Sequence, residues 1–236
     1  MATTLEQLVE KLQKALGDSL VSVILYGSAA TDDRQESFSD YNILCVLTQI
    51  APAQLGATEP VFHWWKQKGN PAPLLLTEHE VITSTDCFAM EFHDIREHNR
   101  ILYGRDVVSA LEIDTRYYRA QVERELRAKL LRLRQKASGV LSDRNILRTL
   151  LVSSVSTFCV LFRHALLLHG IEVAPKKREV IAKAAAHFAL NPQPFELLLA
   201  LREAGPDPKS VDPLRVLPEY LHGVGLVIDA VDKLPS

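Results

Sequence analysis

Residues 25–47 read LYGSAATDDRQESFSDYNILCVL, and two parts of that stretch have the residue types to do chemistry. Gly27-Ser28 follows an apolar run and opens a turn. A strand ending this way presents backbone N–H groups and a hydroxyl where the next helix begins, which is a cradle for an anion such as phosphate. Glycine suits the place because an anion can approach a backbone that has no Cβ. Asp40 and Asn42 stand two apart at the head of the next apolar run. On a strand their side chains share one face and Tyr41 takes the other. Two oxygen ligands beside a phosphate cradle can hold Mg²⁺ against the phosphates of a nucleotide. Phosphoryl and nucleotidyl transfer ask little more of a protein than metal, positioning and charge neutralisation.

The elements that must position these residues follow from periodicity. Residues 3–16 read as a helix: Leu5, Leu8, Val9, Leu12 and Leu16 recur at helical spacing, Thr3 with Glu6 or Thr4 with Gln7 forms a capping box, and Gly17 is a stop. Residues 20–26 (LVSVILY) and 41–47 (YNILCVL) read as strands. A third strand is expected within 71–81 and a fourth at 87–92 (CFAMEF). From Asp114 onward no strand signal remains. Helices are expected over 115–136, 142–169, 176–189, 193–204 and 217–234, with breaks such as GPDPKSVDP between them. The 142–169 helix is apolar around most of its circumference and belongs at the centre of a bundle.

The segment LYGSAATDDRQESFSDYNIL resembles the signature of the nucleotidyltransferase superfamily related to DNA polymerase β. That signature is an apolar residue, Gly-Ser, a gap, then Asp-x-Asp or Asp-x-Glu inside a strand; here the gap is the eleven residues Ala29 to Ser39. The helical C-terminal half, with MEFHDIREHNRILYGRDVV (90–108) closing the first domain, is similar to bacterial members that adenylylate small molecules such as aminoglycosides. The resemblance implies an α+β fold: a short mixed sheet with flanking helices over 1–113, followed by an all-α helical bundle over 114–236. It implies metal-dependent transfer of a nucleoside monophosphate, AMP from ATP, to the hydroxyl of a small-molecule or macromolecular acceptor. In that scheme Gly27 and Ser28 hold the nucleotide phosphates, and Asp40, Asn42 and a third acid hold Mg²⁺ or Mn²⁺. Glu91, in the apolar-acid-apolar setting Met90-Glu91-Phe92, is the first candidate for the third acid and Glu78 the competitor. Glu123 is a candidate general base, and pairing of two copies through the bundle is the expected oligomer.

Asn42 departs from the pattern, because an amide oxygen ligates a cation without carrying charge. Two close metal ions repel each other and need several carboxylates to offset that repulsion. A second reading therefore stands beside the transferase: an NTP-binding, antitoxin-like module without turnover. A third comes from RHALLLH (163–169). Arg163 and His169, with His164 beside them, resemble the Arg/His pair of HEPN ribonucleases, in which such groups act at an RNA phosphodiester.

The helix at 115–136 carries eight Lys and Arg against Glu123 and Glu125, a local net of +6. Either it grips an anion or it is a solvated face steadied by Glu123–Arg127 and Glu125–Lys129 pairs. His63, Trp64 and Trp65 either stack on a ring or cover a core edge. The whole chain has 236 residues, a formal net charge of −2 and three cysteines, all in apolar stretches. A balanced charge implies no polyanion partner for the chain as a whole. With no signal-peptide pattern and no uninterrupted apolar run of about 18 residues, a cytoplasmic protein without a membrane partner is expected.

Overall fold

A computed structural model describes residues 3–30, 41–204 and 211–235. The chain divides into two compact units, Met1–Tyr117 and Tyr118–Ser236. In the first, β1 (Leu20–Tyr26) pairs antiparallel with β2 (Asn42–Leu47) on one side and with β4 (Asn99–Gly104) on the other. Strand β3 (Leu74–Thr77) runs parallel to β2, giving a mixed sheet of order β3-β2-β1-β4. Helices α1 (Thr4–Leu16) and α2 (Pro52–Gln67) contribute Leu8, Leu12, Leu16, Val61 and Trp65 to a core with Val23, Leu25, Ile43, Cys45 and Leu47. Helices α3 (Glu78–Thr83) and α4 (Ala89–Glu97) contribute Val81, Phe92 and Ile95 to a second core with Ile24, Leu44 and Val46. The central strands are buried on both faces, which is why they read as unbroken apolar runs.

Helix α1 starts as expected: Glu6 N–H donates to Thr3 Oγ1 at 3.2 Å, and Thr3 N–H donates to the Glu6 carboxylate at 2.7 Å. The fourth strand, by contrast, is not 87–92. That segment enters α4, and the fourth strand is Asn99–Gly104. Phe88, Met90 and Phe92 suggest a two-residue period. The buried set is instead Ala89, Met90, Phe92 and Ile95, a helical stripe that runs past the six-residue window. Phe88, which a strand would place on one face with Met90 and Phe92, is 49% exposed. Helix α2 carries Pro52 in its first turn, Pro60 inside it and Gly56 between them, a composition that reads as loop. Its buried residues, Thr58, Val61 and Trp65, still fall on one stripe.

The second unit is a bundle of α5 (Tyr118–Ser138), α6 (Arg144–Leu168), α7 (Lys177–Phe188), α8 (Gln193–Ala204) and α9 (Pro213–Asp232). The last begins four residues earlier than expected. Asp212 caps it, Pro213 sits in its first turn, and Pro218 lies inside it. Helix α6 packs against all four others. It is long and apolar enough, by length and composition, to cross a membrane, and 56% of its most apolar window is buried within the bundle. One stripe remains in solvent: Ile146, Thr149, Ser153, Thr157 and Val160 are exposed.

Gly104 closes β4 with a φ of +78°, opposite Ser22 of β1. A Cβ there would stand 2.0 Å from the Val21 carbonyl oxygen. Backbone atoms cannot swing aside as a flexible side chain does. Gly104→Ala is expected to cost about 2–4 kcal/mol, read as a lower urea midpoint for the first unit.

Candidate active site

The site is built on the ends of two paired strands. Tyr26 is the last residue of β1 and Asn42 the first of β2, and they are directly opposed. Opposed residues share a face. That face is the one on which Ile24, Leu44 and Val46 meet α3 and α4, because the strands alternate. Tyr41 takes the other face, 6.0 Å centroid to centroid from Trp65, and its N–H donates to Asn70 Oδ1 at 3.4 Å. Asp40, the first of the two expected ligands, lies outside the described residues.

Gly27 follows at once and starts a single 3₁₀ turn, Gly27–Ala30, which contains Ser28. Its φ of +77° is one that L side chains rarely adopt. A Cβ on Gly27 would come within 3.3 Å of the Asn42 side-chain amide. The two halves of the motif, with eleven residues of chain between Ser28 and Asp40, therefore meet across the sheet end. Gly27 does not offer its own N–H to a ligand, since it donates to the His98 carbonyl at 3.0 Å. Glycine serves here by its backbone angle and its missing Cβ.

Glu91 is exposed on the first turn of α4 rather than on a strand. Its charge is nonetheless felt by the Tyr26 phenol. Burial first, and the Glu91 carboxylate second, push that phenol up to about 12. Tyr26 therefore keeps its proton at neutral pH and can donate a hydrogen bond there. The competing acid, Glu78, begins α3 and is engaged by Arg105 in an ion pair. Tyr26 itself escapes a reading from spacing. It looks like the last apolar residue of a strand, and only the strand pairing shows that it stands opposite Asn42.

Other residues singled out by sequence fall elsewhere. Trp65 is 0% exposed in the core between α1, α2 and the sheet, and Lys11 Nζ lies 5.0 Å from the centroid of the Trp64 ring, so these aromatics cover a core edge. Glu123 is clamped by Arg127 at 2.7 Å and Arg119 at 2.9 Å, and the Arg127 hydrogen bond leads in holding its carboxyl below the ordinary range. A carboxylate so stabilised is a poor base. Arg163 and His164 are 3% and 1% exposed. His164 Nδ1 and the Tyr118 hydroxyl share a 2.6 Å hydrogen bond, and burial lowers the Arg163 pKa. His169 caps α6 with its ring edge-on to His187, 4.8 Å between centroids; burial and then His187 lower its pKa. The arginine of the ribonuclease-like pair is thus a core group that an RNA phosphate cannot reach.

The Tyr26 shift has a sign. Its folded pKa lies above the ordinary tyrosine value of about 10. The associated stability is fully present below pH 10 and is lost as pH rises through about 12. Removing the Glu91 charge should lower the Tyr26 pKa, while burial keeps it above that of an exposed tyrosine. The check is ¹³Cζ-tyrosine NMR of Glu91→Gln against the unaltered protein, with Tyr26→Phe to assign the resonance.

No family model matches the sequence, and no curated protein matches it. Among solved structures, the chain is similar to spectinomycin adenyltransferase AAD(9) from Enterococcus faecialis, solved with ATP and spectinomycin. The TM-score is 0.61 and the identity 13%, over 97% of this chain and 98% of that one. The chain shares the α+β fold of that structure.

Proposed function

We propose that the protein transfers a nucleoside monophosphate, AMP from ATP, to a hydroxyl of an acceptor molecule. The observation that carries this reading is the meeting of Gly27 and Asn42 at the paired ends of β1 and β2. It stands on a fold shared with an enzyme whose structure holds ATP and a small-molecule acceptor. The shared fold also favours a small molecule as the acceptor here.

In this reading Gly27 leaves room for the triphosphate, and the N–H groups that follow it in the turn, with Ser28, bind phosphate oxygens. Asn42 stands at the strand end opposite Tyr26, on which the Glu91 charge acts, and Asp40 is the remaining carboxylate of the motif. Tyr26 donates a hydrogen bond beside them. The acceptor hydroxyl is held in line with the phosphate it attacks, and positioning supplies much of the rate.

The donor set fits a divalent ion, but one ion more readily than two. Among the described residues no three His, Cys, Asp or Glu side chains converge. Asn42 is neutral, and Glu91 is a described carboxylate whose charge reaches Tyr26. Mg²⁺ is commonly held by one or two carboxylates, with phosphate and water completing its shell. Asp40, Asn42 and Glu91 would hold it. When bound, the ion neutralises phosphate charge and orients the transferred group.

Two substitutions test the assignment. Asn42→Asp adds a charged ligand and should raise Mg²⁺-dependent ATP affinity or turnover by on the order of tenfold, about 1.4 kcal/mol. Calorimetric ATP titrations with and without Mg²⁺, together with pyrophosphate release, report it; unchanged titrations and release would sink the metal role of position 42. Gly27→Ala should weaken ATP binding at least tenfold while costing only about 1 kcal/mol of stability. Binding without pyrophosphate release, for any acceptor offered, would favour the non-catalytic nucleotide-binding module.

A further inference from the structure

The two units carry opposite charge. Residues 1–117 hold 9 Lys and Arg against 17 Asp and Glu, a formal net of −8. Residues 118–236 hold 18 against 12, a net of +6. Nearly all of that excess sits on one helix. Helix α5 has seven Lys and Arg against two Glu, a net of +5, and the remainder of its unit is close to balance.

The charge on α5 is of two kinds. Arg119, Arg127 and Lys129 are spent on Glu123, Glu125 and Asp232, within distances of 2.7 to 3.5 Å. Arg124, Arg132, Arg134 and Lys136 are exposed, and among the described residues no acid lies within ion-pair distance of them. A face built only for solubility mixes both signs. The helix dipole favours cations in the last turn, which accounts for Lys136 but not for Arg124 in mid-helix.

Placement on the helix gives the cluster a shape. Tyr118, Val122, Leu126, Leu130, Leu133 and Ala137 are buried and define the inner face. Directly opposite, at helical spacing, run Arg124, Ala128, Leu131 and Gln135, all exposed, with Leu131 at 58%. Arg127 and Arg134 flank that stripe on one side, Arg132 and Lys136 on the other. The outer surface is therefore a narrow ridge that can present hydrogen-bonding and apolar groups, with a cation rail along each edge. A helix of this width fits the major groove of B-form DNA, which is about 12 Å across, whereas the major groove of A-form RNA is too narrow. Rails on both edges match phosphates on both groove walls, and arginine is the side chain best suited to them. Arg124, Leu131 and Gln135 have the chemistry to touch base edges.

We propose that α5 is a docking surface for duplex DNA, entered through the major groove. The inference is independent of whether the first unit transfers nucleotides.

Anisotropy titration of the full chain with a fluorescein-labelled 24-base-pair DNA duplex tests it. With the three free rail cations engaged on phosphates, affinity should fall roughly 40-fold between 50 and 200 mM salt. The triple variant Arg132→Gln, Arg134→Gln, Lys136→Gln should flatten the log–log salt slope by about three, while melting as the unaltered protein does. Lys66→Gln with Lys68→Gln, which removes two exposed charges at the C-terminal end of α2 and just past it, should leave the slope unchanged. Dimethyl sulfate should methylate guanine N7, a major-groove atom, less readily in the complex. Four results would each overturn the proposal: no binding at 50 mM salt, binding indifferent to the triple variant, equal binding of a poly-glutamate peptide or an RNA duplex, or unprotected N7.

Discussion

The antiparallel pairing of β1 with β2 is the constraint on which this molecule turns. It sets Tyr26 opposite Asn42 and so brings Gly27, the next residue, against the Asn42 amide. A slip of one residue would carry Asn42 to the face of α1 and α2 and send Tyr41 to the other side. The register is held because both faces are committed. Leu25 and Ile43 belong to one core, Ile24 and Leu44 to the other, and neither pair can exchange faces without emptying a core. The chemistry at the strand ends is thereby inherited from packing several residues away. Strand β4 braces the arrangement from the other side of β1, and just ahead of it the His98 carbonyl accepts the Gly27 N–H.

Much of this was legible in the sequence, for identifiable reasons. Strands β1 and β2 are β-branched, apolar and bounded by Gly27 and by the polar stretch before Tyr41, so composition and punctuation agree. Helix α1 announces itself through Thr3, Glu6 and a leucine stripe. The five helices of the bundle emerge because their apolar spacing is sustained over three or more turns. Where local signals conflict, reading fails. Helix α2 carries two prolines and a glycine, yet Val61 and Trp65 buried beneath α1 outweigh their cost. Segment 87–92 satisfies both periods over six residues, and only Ile95 decides between them. Strand β4 is a half-buried edge whose residues alternate poorly, and pairing with β1 makes it a strand.

The candidate site divides along the same line. Gly27 and Asn42 could be found because the motif is local and each sits at an element boundary. Glu91 lies on a helix where a strand was expected, because an acid between two apolar neighbours fits a strand or the first turn of a helix equally well. Tyr26 escaped notice because nothing in a sequence tells a tyrosine that merely ends a strand from one paired opposite a motif residue. Glu123, Arg163 and His164 looked reactive by type. Their neighbours decide otherwise: two arginines hold the glutamate ionised, and burial around Tyr118 shuts the arginine and histidine in.

The opposed charges of the two units bear on how the molecule behaves in bulk. A net charge of −2 and an isoelectric point near 6.5 describe an almost neutral chain. Titration to that point cancels the sum without erasing either part: an acidic surface and a basic helix persist together. Such a polypeptide is a zwitterion on the scale of whole folding units. At low ionic strength its molecules can attract one another even where their average charge forbids it, and added salt dissolves rather than precipitates them.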